Sequence, residues 1–142
     1  MTYYLQAMRG FSDFRGRARR AEYWMFVLVY LGIYLVAGIL DAVLGTTQLL
    51  GAPVLATVVA LVHLVPAIAV LVRRLHDTGR SGWWYFIGFV PLVGVVLLIV
   101  WLATDGEHRP NAWGDDPKRA ERAPAQFVAA QAGPYGVPPQ FR

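Results

Sequence analysis

The side chains able to do chemistry are concentrated in one stretch, Arg73-Arg74-Leu75-His76-Asp77-Thr78-Gly79-Arg80-Ser81-Gly82-Trp83-Trp84, which lies between two apolar runs. Two kinds of chemistry fit it. In the first, Arg73, Arg74 and Arg80 clamp an anion, with Ser81 capping the helix that follows. A helix N-terminus presents unpaired N–H groups and the positive end of its dipole, and at a membrane surface the anion is an anionic phospholipid headgroup. In the second, the loop is a structural latch: Asp77 pairs with an arginine of the N-terminal segment, Arg17 or Arg20, Glu22 pairs with Arg73 or Arg74, and His76 joins the same cluster. The two are compatible.

Other chemistry finds little support. His76-Asp77 resembles part of a metal centre, but a divalent ion needs three or four converging ligands. His63 lies deep in an apolar run and His108 is expected across the membrane, which leaves only Asp77 and Glu22, so neither metal nor cofactor is expected. Gly79-Arg80-Ser81-Gly82 is too short for a phosphate-binding loop and lacks the lysine, and no nucleophilic triad or dinucleotide fingerprint is present. Cysteine is absent, which removes thiol catalysis and disulfides. An enzyme is not expected. His63 is the one candidate intramembrane polar site. It precedes Arg73 by ten residues, about 15 Å by helix rise, and an ionisable group at that depth is either hydrogen-bonded to a neighbouring helix or carries a proton or ligand.

The elements that must position these residues are apolar helices. Of the 142 residues, 56% are apolar and 15% charged, with a mean hydropathy of +0.43; soluble domains have about 45–50% and about 25%. Three stretches are long and apolar enough to cross a bilayer, which needs about 20 helical residues: about 23–44, 53–72 and 83–103. Gly45-Thr46-Thr47-Gln48 and Gly51-Ala52-Pro53 mark the turn between the first two. The predicted fold is all-α: three transmembrane helices in a single membrane domain, residues 1–118, and a flexible Pro/Gly/Ala-rich tail, residues 119–142. Tyr4, Met8 and Phe11 recur at helical spacing and predict a short interfacial helix before the first span. Pro66 and Pro91 predict kinks at matched depth. Asp41 is read as hydrated near the far interface.

Charge sets the expected orientation. Arg9, Arg15, Arg17, Arg19 and Arg20 precede the first span, the first connection has no basic residue, and the second has Arg73, Arg74 and Arg80. Cytoplasmic loops hold the basic excess, which places the N-terminus and the 73–80 loop inside and the C-terminal tail outside. Tyr23, Trp24, Trp83, Trp84 and Tyr85 open spans and Trp101 closes the third, as expected of interfacial aromatics. The net charge of +4 sits beside the membrane, so anionic lipid rather than nucleic acid is the expected polyanion.

Three segments carry a family resemblance: Phe14-Arg15-Gly16-Arg17-Ala18-Arg19-Arg20-Ala21-Glu22-Tyr23-Trp24, the Arg73–Trp84 stretch, and Asn111-Ala112-Trp113-Gly114-Asp115-Asp116-Pro117. In this order between apolar spans, they make the chain resemble the small bacterial inner-membrane proteins grouped as domain of unknown function 805, from about Thr2 to Lys118. The resemblance implies a helical inner-membrane protein and brings no biochemical activity with it. The expected function is that of a structural component, or one binding anionic lipid, a second copy or another membrane protein. The alternative is a small-solute or proton-coupled channel or transporter built around His63.

Overall fold

The computed structural model describes residues 2–122, whose regular elements are helical. In chain order they are α1 (Thr2–Arg9), α2 (Arg20–Leu44), α3 (Thr46–Leu50), α4 (Val54–Asp77), a 3₁₀ segment (Gly82–Phe89), α5 (Val93–Ala103) and α6 (Arg119–Arg122). Most of the expected tail, beyond residue 122, lies outside the described residues; its first residues form α6.

Helices α2 and α4, of 25 and 24 residues, are each about 36 Å long by helix rise, enough to cross the hydrocarbon core of a bilayer. They pack as an antiparallel pair. At one end Glu22, in the first turn of α2, meets Arg73 near the end of α4; at the other, Asp41 of α2 meets the first turn of α4. Gly45 ends α2 in the left-handed conformation (φ 67°), its N–H bonded back to Ala42 and Asp41, a geometry that glycine adopts without a Cβ penalty. Asp41 is not hydrated as the sequence suggested. It is 1% exposed and accepts from the backbone N–H of Leu55 at 3.1 Å and Ala56 at 2.8 Å and from Thr46 Oγ1 at 2.6 Å. Two of the orphan donors that begin α4 are thus satisfied from the neighbouring helix, so this carboxylate sets the register of the pair.

α1 closes the opposite end of the pair. Its Ala7 is fully buried with Ala18, Phe26 and Val70, and Tyr4 and Met8 pack against that core, whereas Phe11 is exposed.

The third apolar run does not form one continuous helix like the first two. α4 continues through Pro66, but at Pro91 the chain turns back. A proline disfavours the helical region for the residue before it and supplies no N–H; Val90 is accordingly extended (φ −79°, ψ 112°). Leu92 then takes φ 63° and ψ −66°, and Val93 N–H donates to Pro91 O at 2.7 Å, the rare γ-turn. The 3₁₀ segment and α5 therefore run antiparallel as two arms of a hairpin. Trp84 lies edge-on to Trp101 at 5.4 Å, which brings together the aromatics expected at opposite interfaces. The arms close because residue 94 is glycine: a β-carbon there would fall on the Ile87 carbonyl. Both ends of the hairpin lie at the Arg73 end of the helix pair, so residues 104–122 stand beside the N-terminal arginines, not at the far end where the expected topology put them.

Gly94→Ala is expected to pry the hairpin open and lower stability by about 1–3 kcal/mol, the usual loss on overpacking. Leu92→Gly, which relieves a left-handed non-glycine residue, is expected to raise stability by about 1 kcal/mol. Thermal unfolding in detergent checks both.

Candidate functional site

The last turns of α4 carry the cluster. Residues 73–77 are all buried, two of them arginines at the negative end of the helix dipole, where positive charge is favoured. Burying a guanidinium is expensive unless its donors are matched, and here they are. Arg73 donates from Nη2 to Glu22 Oε1 at 2.9 Å and from Nη1 to the carbonyls of Gly10 and Asp13 at 2.6 and 2.8 Å. Arg74, wholly buried, donates from Nε to Leu102 O at 3.0 Å, from Nη1 to Asp77 Oδ2, and from Nη2 to Thr104 O. Those carbonyls are at the C-terminal end of α5, so Arg74 caps the hairpin's returning arm.

Arg17 completes the node from the N-terminal segment. Its Nε donates to Asp77 Oδ1 at 3.0 Å, and its other nitrogens reach the carbonyls of Glu107 at 2.6 Å and Arg109 at 2.9 Å. Asp77 is therefore held between Arg17 and Arg74. Ala18 N–H donates to Arg73 O at 3.0 Å and Glu107 N–H to Asp77 O at 2.8 Å, stitching the flanking loops onto the end of α4. Gly106 passes so close that a β-carbon would collide with the Asp77 carboxylate.

His76 stacks on Trp113 with ring centroids 4.6 Å apart and donates from Nδ1 to Gly16 O at 3.3 Å. Asn111 donates to His76 O at 2.9 Å and to Glu107 Oε2 at 3.0 Å. Arg20 lies at the rim, 3.4 Å from Asp105 and bonded to Ala103 O at 3.3 Å. The Lys118 ammonium, hydrogen-bonded to Asp105, and the neighbouring Arg20 hold that carboxyl below the ordinary aspartate range. This tether is complete at neutral pH and is lost only as pH falls through the lowered value.

Glu107 and Gly106 were given no role from sequence, and Asn111 and Trp113 entered only as part of the third segment that carries the family resemblance. Charge counting points to some of them: eight arginines flank the first and second apolar runs, and the carboxylates nearest the end of the third are Asp105 and Glu107.

The structure does not gather Arg73, Arg74, Arg80 and Ser81 around an open helix end. Arg73 and Arg74 are engaged internally. Arg80 lies partly exposed with its guanidinium 4.7 Å over the Trp101 ring, a cation–π contact, and Ser81 Oγ accepts from Trp83 N–H at 3.4 Å, starting the 3₁₀ segment. His63 is elsewhere, buried between the helices and ringed by Tyr4, Phe26 and Tyr30. Its Nδ1 is 2.8 Å from Val59 O, which can only accept, so Nδ1 carries the hydrogen and Nε2 accepts from the Tyr4 hydroxyl at 2.8 Å. Both ring nitrogens are thus engaged, and the contact holds α1 to α4. Among the described residues no group of three His, Asp or Glu side chains is placed to hold a metal ion.

Removing one partner from a buried ion pair costs about 3–5 kcal/mol. Arg74→Gln is therefore expected to destabilise by that amount and to release the hairpin end, while Arg80→Gln, losing the Trp101 contact and a hydrogen bond to Thr78 O at 3.1 Å but no ion pair, stays within about 1 kcal/mol of the parent. Unfolding in detergent with limited proteolysis at residues 104–110 distinguishes the two.

The residues meeting in this cluster come from three separated segments, 10–22, 73–80 and 102–114, of which all but Gly10 fall within the family match given below. Inner membrane protein YhaH of Escherichia coli (strain K12) is 42% identical over 118 residues, spanning 83% of this chain and 98% of its own. Inner membrane protein YhaI of the same strain is 39% identical over 118 residues, spanning 83% and 97%. No solved structure matches. The family described as "Protein of unknown function (DUF805)" matches residues 11–115, and the chain belongs to that family.

Proposed function

We propose that the protein is a non-catalytic, integral component of the bacterial inner membrane, its arginine cluster on the cytoplasmic side. There it presents a rigid basic platform to anionic lipid headgroups and to a membrane-protein partner, a second copy included. The inner-membrane setting is supported by the names of the relatives and by the two long apolar helices. The cytoplasmic placement is supported by the basic excess at this end, against an opposite connection that has none.

The observation that carries the reading is how the positive charge is divided. The buried guanidiniums of Arg17, Arg73 and Arg74 are taken up by Glu22, Asp77 and backbone carbonyls, so they are the frame. Arg9 and Arg15 are exposed and Arg80 partly so. These lie at the rim, where each basic side chain near an anionic surface contributes about 1 kcal/mol. Transport is the weaker reading because His63 is paired on both nitrogens and lines neither the apolar cleft beside Tyr23 and Phe89 nor the polar cleft beside Arg19 and Pro117.

The triple variant Arg9→Gln, Arg15→Gln, Arg80→Gln is expected to retain less phosphatidylglycerol than the parent in native mass spectrometry, with phosphatidylcholine retention unchanged and the thermal midpoint within about 5 °C of the parent. Equal phosphatidylglycerol retention by parent and variant would refute the lipid-binding part. Proton flux through reconstituted vesicles that disappears in His63→Ala would favour the transporter instead.

A further inference from the structure

Residues 82–103 make a surface that the latch does not explain. The 3₁₀ arm has eight residues and the α5 arm eleven; at about 2.0 Å and about 1.5 Å per residue, both come to about 16 Å. That is half of a hydrocarbon core of about 30 Å. The arms start and finish at the arginine cluster, and their open end carries Trp83, Trp84 and Trp101, residue types that favour headgroup level. The closed end is apolar and bare: Phe89 is 73% exposed, Leu92 82% and Val93 64%. At the turn the N–H groups of Val90, Val93, Gly94 and Val96 each find a carbonyl, and Pro91 has none to satisfy, which reduces the number of backbone donors that hydrocarbon would leave unpaired.

We propose that this segment is a re-entrant hairpin sunk into the leaflet on the arginine side, with its tip at the bilayer midplane and the acyl chains of that leaflet covering its exposed face. The inference rests on α2 and α4 spanning the membrane, and it is independent of headgroup binding at the rim. Acyl chains are the occupant that the geometry favours. The tip is a convex turn, which fluid chains surround without a matching surface, and it stands at the depth where α2 and α4 present their own exposed aliphatic faces. Between the hairpin and α2/α4 runs an apolar cleft of about 300 Å³, lined by Tyr23, Leu71, Phe89, Leu98 and Leu102 among others; in this placement it opens to the same leaflet. The consequence is asymmetry: α2, α4 and both arms occupy one leaflet, while α2 and α4 alone pass through the other. The protein is a wedge, broad on the side that carries its charge.

The chain has no cysteine, so single-cysteine variants of the full-length protein in phosphatidylcholine/phosphatidylglycerol vesicles test this directly. Nitroxides at Val93→Cys and, as a second tip site on the other arm, Phe89→Cys are expected to collide readily with oxygen and to lose collisions with a water-soluble nickel chelate. A membrane-impermeant maleimide is expected to label Asp115→Cys from the same side as Ser12→Cys and from the side opposite Leu49→Cys. Labelling of Asp115→Cys from the Leu49 side would overturn the proposal in favour of a third span. Nickel collisions at both tip sites would place the hairpin in water. Dipolar broadening between tip labels, with oxygen collisions lost, would make a second copy the occupant.

Discussion

A guanidinium cannot be left unpaired in a low-dielectric interior, and Arg17, Arg73 and Arg74 impose that demand at one end of two apolar helices. Each has more donors than one carboxylate accepts. Glu22 and Asp77 take part of them, and the remainder go to the carbonyls of Gly10, Asp13, Leu102, Thr104, Glu107 and Arg109. Those carbonyls belong to the loop after α1, to the last turn of α5 and to the loop that follows it. Satisfying three side chains therefore pulls two distant parts of the chain onto the end of α4. The hairpin follows from the same demand, because Arg74 caps the end of α5 and so holds the returning arm where the outgoing arm began.

The far end of the helix pair is fixed by the same rule with the opposite charge. Asp41 meets N–H groups at the start of α4 that have no partner in their own helix, so negative charge sits at a positive dipole end. Between the two ends, Tyr4 and His63 satisfy one another inside an aromatic sleeve. The polar contacts thus divide the length of the pair into three levels, and the aliphatic surface between them is left facing outward.

Much of the helical frame is legible in the sequence, because a long charge-free run has few alternatives to a helix once water is excluded. α2 and α4 match the first two apolar runs, with the Gly45 to Pro53 punctuation between them. The opposite charges of Glu22 and Asp77 also single out arginines as their partners. What escaped was non-local. Pro91 was read as a kink, whereas the chain reverses there, and the difference lies in Gly94, which lets one arm approach the Ile87 carbonyl, and in Arg74, which holds the far end of that arm. Trp101 likewise looked like the mark of a second interface, but it packs against Trp84 at the other end of the same run. Asp41 was read as hydrated because its acceptors' partners are backbone N–H groups fourteen and fifteen residues on, which no side-chain pattern advertises.

The central claim is that the buried charges depend on one another. A double-mutant cycle of unfolding free energies in detergent with Glu22→Met and Arg73→Met tests it most directly. The account predicts that the double variant loses less than the sum of the singles by more than about 1 kcal/mol, because each single strands a buried charge. Losses that add to within about 0.5 kcal/mol would show that the two side chains act independently, and the latch would then not be what holds this end of the protein together.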